Sequence, residues 1–82
     1  MPLTFVEKSL YTAEYQRLCV LLADLRKQAG LTQVQVGEAL EVPQSFVSKY
    51  EAGQRRLDLI EVQHIATVLG TTLAAIVDAL TG

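Results

Sequence analysis

The chain has 82 residues, half of them hydrophobic, a mean hydropathy of +0.26 and a formal net charge of −2. That supports one small domain and is too apolar for a disordered tail. One Cys and one His exclude a disulfide framework and make a metal centre improbable. No apolar run approaches the roughly 18 residues that span a bilayer, and no leader-like segment opens the sequence, so a cytoplasmic protein without a membrane partner is expected.

Residues 1–11 are mixed in type and partly β-branched, and are expected to form an arm ahead of a body over 12–82. Thr12 is a plausible N-cap. After it Leu18, Leu21, Leu22 and Leu25 recur at i, i+3, i+4 and i+7, an amphipathic helix that Gly30 stops in the left-handed conformation. Thr32 and Gln35 form a capping box, with Leu31 and Val36 as its hydrophobic staple, and start a short helix over about 33–40. Val42-Pro43 breaks it, and Pro43 suits the first turn of a third helix over about 43–52, ended by Gly53. Asp58 and Glu61 make a second capping box, stapled by Leu57 and Val62, for a helix over about 59–69 that Gly70 stops. Thr72 caps a fifth helix, in which Leu73, Ile76, Val77 and Leu80 form one stripe. No strand signal competes with these, so the expected fold class is all-α, a compact domain of five helices with short connections.

Charge is distributed unevenly. Residues 1–25 carry a balance of −1, residues 26–56 a balance of +2 and residues 57–82 a balance of −3. A polyanion would meet the middle of the chain and be repelled by its last third.

The informative stretch is 33–53, two short helices and a tight turn. Val36, Leu40, Val42 and Val47 point inward, and Gly37 is small where the two helices would cross most closely. Gln44, Ser45, Ser48 and Lys49 lie outward on the third helix. A helix with one face fixed to a scaffold and the other offering hydrogen-bond donors and acceptors suits the major groove of B-DNA.

These residues carry a resemblance. The run Leu-Arg-Lys-Gln-Ala-Gly-Leu-Thr-Gln at 25–33, followed by Val-Pro-Gln-Ser-Phe-Val-Ser-Lys-Tyr-Glu-Ala-Gly at 42–53, resembles the Cro/phage-repressor helix-turn-helix family of XRE-type transcriptional regulators. The likeness covers about residues 15–80 and implies a lambda-repressor-like fold with 12–82 as a DNA-binding domain. It implies base reading by Gln44, Ser45, Ser48 and Lys49, and DNA-backbone contacts by Gln33, Arg55 and Arg56, with Gln33 also bracing the third helix. Arg26 and Glu51 match the family's structural ion pair. Two positions depart from the pattern. Pro43 stands where the family usually has a capping Ser or Thr, and Glu41 where the turn usually has Gly. A left-handed Glu41 costs roughly 1 kcal/mol relative to Gly.

The implied activity is sequence-specific double-stranded DNA binding by a small transcriptional regulator. One recognition helix covers only roughly 4–6 base pairs, so a homodimer on a palindromic operator is expected, with recognition helices about 34 Å apart. The stripe Leu73, Ile76, Val77, Leu80, extended by Val68 and Leu69, and residues 1–11 are the candidate dimer surfaces. With no second domain for a ligand, an autoregulating repressor or switch is favoured, and no cofactor or small-molecule ligand is implied. The acidic pI keeps a second reading open, the same fold used as a protein-interaction module for a toxin or polymerase partner. No catalytic constellation accompanies Ser45 or Ser48, and Asp58 with Glu61 reads as a cap, so no enzyme is expected. Cys19 reads as a packed thiol, His64 as an exposed side chain, Tyr50 as a packing residue, and Tyr11 and Tyr15 as ties between arm and body.

Overall fold

A computed structural model of the chain describes residues 12–82. The arm expected over 1–11, including Tyr11, lies outside the described residues. Five helices follow in order: α1 (Ala13–Gln28), α2 (Gln33–Leu40), α3 (Gln44–Glu51), α4 (Leu59–Val68) and α5 (Leu73–Thr81). Among the described residues there is no strand. No single helix there is long and apolar enough to cross a membrane.

Local chemistry sets the helix starts. The Thr12 hydroxyl accepts from the Tyr15 N–H at 3.1 Å and opens α1. Both capping boxes form as the sequence requires. In the first, Thr32 Oγ1 accepts from the Gln35 N–H while Gln35 Oε1 accepts from the Thr32 N–H. In the second, Asp58 and Glu61 do the same for α4. Each satisfies two amides that a helix N-terminus otherwise leaves without a partner.

Pro43 is placed one residue differently from the expectation. Its ψ of 155° is extended, so it is the N-cap of α3 and not a helical residue. It supplies no side-chain cap; its carbonyl accepts the first bond of the helix, from the Phe46 N–H at 3.0 Å. Glu41 adopts the left-handed conformation that the family's usual glycine would provide, with φ 60°.

The core gathers one face of every helix. Leu22 of α1, Val36 of α2, Val47 and Tyr50 of α3, Ile65 of α4 and Ile76 of α5 are all buried in one cluster. Leu18, Leu21, Leu25, Leu40 and Val42 pack partly buried against it, as the apolar spacing requires. Cys19 is buried beside this stripe, and burial pushes its thiol up from the ordinary value.

The apolar stripe of α5 serves the interior more than the sequence suggested. Ile76 is 2% exposed in the chain's own core, and Leu73 and Leu80 pack partly buried against it. Leu69 is also a core residue. Ile76 and Leu69 are therefore committed mainly to the chain's own core, because closing the end of a domain this small consumes much of the stripe. Val77 remains open, and the sequence did not single out exposed Leu59 and Ile60 on α4.

Candidate nucleic-acid interface

The pair α2–α3 is held at three levels. At the backbone, a Cβ on Gly37 would lie 2.9 Å from the Val42 carbonyl oxygen, so only glycine permits this approach. The Gly37 carbonyl also accepts from the Val42 N–H at 2.9 Å, fixing the turn at the crossing. Below the pair, Tyr50 of α3 shares the buried core cluster with Val36 of α2, and its ring meets Phe46 of its own helix edge to face, with centroids 5.9 Å apart. Tyr50 is the packing residue that the sequence suggests, and its hydroxyl is buried without a hydrogen-bond partner.

The third level is a chain of side chains. Arg26 of α1 donates from Nε to Glu51 Oε2 at 2.6 Å and from Nη2 to Oε1 at 3.0 Å. Its Nη1 donates to the Leu31 carbonyl at 2.9 Å. The hydrogen bond to Glu51 holds the Arg26 guanidinium above its ordinary pKa. With 12% and 7% of their side chains exposed, the two ions are nearly withdrawn from water, which demands this complete hydrogen bonding. Glu51 Oε1 also accepts from Gln33 Nε2 at 3.0 Å, and Gln33 Oε1 accepts from Gln44 Nε2 at 3.4 Å. Gln33 thus joins the start of α2 to both ends of α3.

Gln44, Ser45, Ser48 and Lys49 are all exposed. The sequence-predicted base readers therefore share the outer side of a helix whose inner side is buried. Gln54 joins them in space. Its backbone N–H turns back to the Lys49 carbonyl at 2.8 Å, and with Ser45 and Lys49 it lines an open concavity beside α3. Sequence reasoning passed over Gln54, since nothing in its type or spacing marks it; the left-handed Gly53 before it turns the chain back.

The two loop arginines are placed differently. Arg56 is exposed. The Arg55 guanidinium is engaged within the protein, over the Phe46 ring and against Glu61. Tyr15 ties α1 to this same loop: its hydroxyl donates to the Arg55 carbonyl and accepts from the Leu57 N–H. Burial is the main cause that pushes the Tyr15 phenol from 10.0 up to about 12. His64 is exposed. Among the described residues no group of His, Cys, Asp and Glu could hold a metal ion.

A short supporting helix, a tight turn and a second short helix with a polar outer side define a helix-turn-helix domain. The helix-turn-helix family model matches residues 22–76. An XRE-family like protein from Pseudomonas syringae pv. tomato str. DC3000 is 41% identical over 93% of each chain and superposes with a TM-score of 0.82. The clp gene regulator ClgR from Corynebacterium glutamicum, at 21% identity and a TM-score of 0.78 over 87% of this chain, shares the fold. Apo-HppE, 30% identical with a TM-score of 0.69, matches 79% of this chain over 36% of its own. No curated protein sequence matches the chain. The chain belongs to the XRE family of helix-turn-helix proteins. That membership makes it a DNA-binding transcriptional regulator and not an enzyme.

Proposed function

We propose that the chain reads a specific double-stranded DNA sequence by laying α3 in the major groove, as a homodimer on a palindromic operator, and acts as an autoregulating repressor or switch in the cytoplasm. The observation that carries this reading is the common exposure of Gln44, Ser45, Ser48 and Lys49 on a helix anchored at both ends. Gln44 and Lys49 are suited to base edges: an amide pairs with adenine through two hydrogen bonds, and an ammonium donates to guanine O6 and N7. The serines suit either base. Gln33 and Arg56 take the DNA backbone, Gln33 from the start of α2 and Arg56 from the loop.

Two copies meet along the apolar side of α4 and α5. Exposed Leu59 and Val77, with the partly buried Leu18, Leu73 and Leu80 and the buried Val62, line a groove there. Two copies are needed because one helix reads too few base pairs to be unique in a genome.

The test is selection of bound duplexes from a random pool by the purified chain at about 0.15 M salt, near physiological screening. Enrichment of a palindrome with half-sites about one helical turn apart is the expected result. A folded protein that enriches nothing refutes the reading and turns the search to a protein partner, the use of the fold that the net charge of −2 favours.

A further inference from the structure

Arg55 and Arg56 follow the recognition helix, and by charge alone they are equivalent. The Arg55 Cζ lies 4.2 Å from the centroid of the Phe46 ring. Its Nη2 is 3.2 Å from Glu61 Oε2. Nη1 donates to Glu61 Oε1 at 3.3 Å and to the Arg56 carbonyl at 2.9 Å. The backbone is fastened as well: the Arg55 carbonyl accepts from the Tyr15 hydroxyl, which in turn accepts from the Leu57 N–H at 3.0 Å.

These partners come from three helices. Phe46 is in the first turn of α3, Glu61 in the first turn of α4, and Tyr15 is on α1. Glu61 does not swing freely, because its Oε1 also accepts from the Asp58 N–H at 2.9 Å in the α4 capping box. A phosphate would have to draw the guanidinium off the carboxylate that already neutralises it. Only arginine combines a planar face for the ring with a fork for the carboxylate.

We infer that Arg55 is a positioning residue for DNA reading: seated on Phe46 and Glu61, it sets how α3 stands relative to α4. The inference rests on the DNA reading proposed above. Phe46 lies on α3 between Gln44 and Lys49, so a tilt at the ring displaces the whole base-reading set. Glu61, in the acidic last third of the chain, then favours sequence discrimination through Arg55, where charge alone makes it an obstacle to DNA.

The test compares Arg55→Lys, Glu61→Gln and the double variant in the full chain. Lys keeps the charge and loses the fork and the planar face. Gln at 61 keeps a capping-box residue and loses the charge. Each is titrated against the operator recovered by selection and against a random duplex, over a salt series, and each is melted. The positioning role predicts that either single change lowers operator affinity about tenfold, on the order of one lost charge-assisted hydrogen bond. Random-duplex affinity and the salt slope stay as in the wild type, the double variant loses no more than either single one, and melting shifts by only a few degrees, as for a half-exposed pair.

The opposite pattern is a phosphate contact freed from competition: Arg55→Lys binds like the wild type and Glu61→Gln binds both duplexes more tightly. That pattern overturns the inference, as does unchanged binding throughout, or a loss that merely tracks a falling melting temperature. If the wild type enriches no duplex at all, the DNA reading fails and this assignment falls with it. Wild-type enrichment with the wrong variant pattern removes only the role of Arg55.

Discussion

Replacing Gly37 with Ala sets two effects of opposite sign against each other. Gly37 lies inside α2, where Ala is favoured by about 1 kcal/mol through helix propensity. Against that gain stands a new Cβ 2.9 Å from the Val42 carbonyl oxygen and 3.5 Å from the Gln44 nitrogen and the Pro43 carbonyl carbon. All three are backbone atoms, so no side chain can turn aside. The Val42 N–H is bonded to the Gly37 carbonyl at the same point, and relief requires moving the turn and the start of α3. Overpacking of this kind costs about 1–3 kcal/mol, which leaves a net destabilisation of about 0–2 kcal/mol. Urea unfolding measures it. The loss in operator binding should exceed the loss in stability, since Gln44 is carried directly on the displaced segment and a good two-bond base contact is worth about 1–3 kcal/mol. Gly30→Ala is the control: its φ of 73° makes Ala unfavourable, but a Cβ there meets nothing within 4 Å, so stability should fall with specificity intact. A Gly37→Ala protein that is about 1 kcal/mol more stable than the wild type, with full operator affinity, would refute the steric argument.

Four further outcomes are expected. Glu51→Ala should cost about 3 kcal/mol in urea unfolding, because it leaves a nearly buried Arg26 without its carboxylate, whereas Arg26→Met with Glu51→Leu should recover most of that loss. Glu41→Gly should stabilise by about 1 kcal/mol, read as a higher urea midpoint at constant slope, since glycine adopts φ 60° without the Cβ penalty. The folded Tyr15 phenol, pushed up to about 12 from 10.0 chiefly by burial, keeps its proton where the unfolded one has lost it. Its contribution is therefore complete below pH 10.0 and is lost as pH rises towards about 12, so an alkaline unfolding series should show stability falling in that window and Tyr15→Phe should flatten the fall. Gln44→Ala and Lys49→Ala should each cost about 1–3 kcal/mol on the operator and relax preference at one or two positions; equal losses on random duplex would rule out base reading.

The backbone plan was legible because each boundary has a local cause. Thr32 with Gln35, and Asp58 with Glu61, announce their helix starts in four residues, and Gly30, Gly53 and Gly70 take the positive φ that ends three helices. The outward side of α3 was legible for a similar reason, since its buried positions Val47 and Tyr50 leave Gln44, Ser45, Ser48 and Lys49 a single side. What the sequence hid is nonlocal. Tyr15 and Arg55 are far apart in the chain, and the bond between them depends on how α1 lies beside the loop before α4. The stripe on α5 resembled a surface because periodicity marks an apolar face without saying whether the chain or a partner covers it. Ile76 shows that here the chain covers much of it.

α3 is fastened near its start through Gln44 and Gln33 and at its last residue through Glu51 and Arg26. A helix tethered at both ends has little compliance. In the proposed complex, adjustment between protein and operator then falls to the nucleic acid. The base pairs between the two half-sites, which no side chain of the recognition helix reaches, must bend and twist to bring both grooves to fixed helices. Sequences that deform easily there are bound more tightly than stiff ones. Rigidity in the protein thus becomes sequence preference in DNA it never touches.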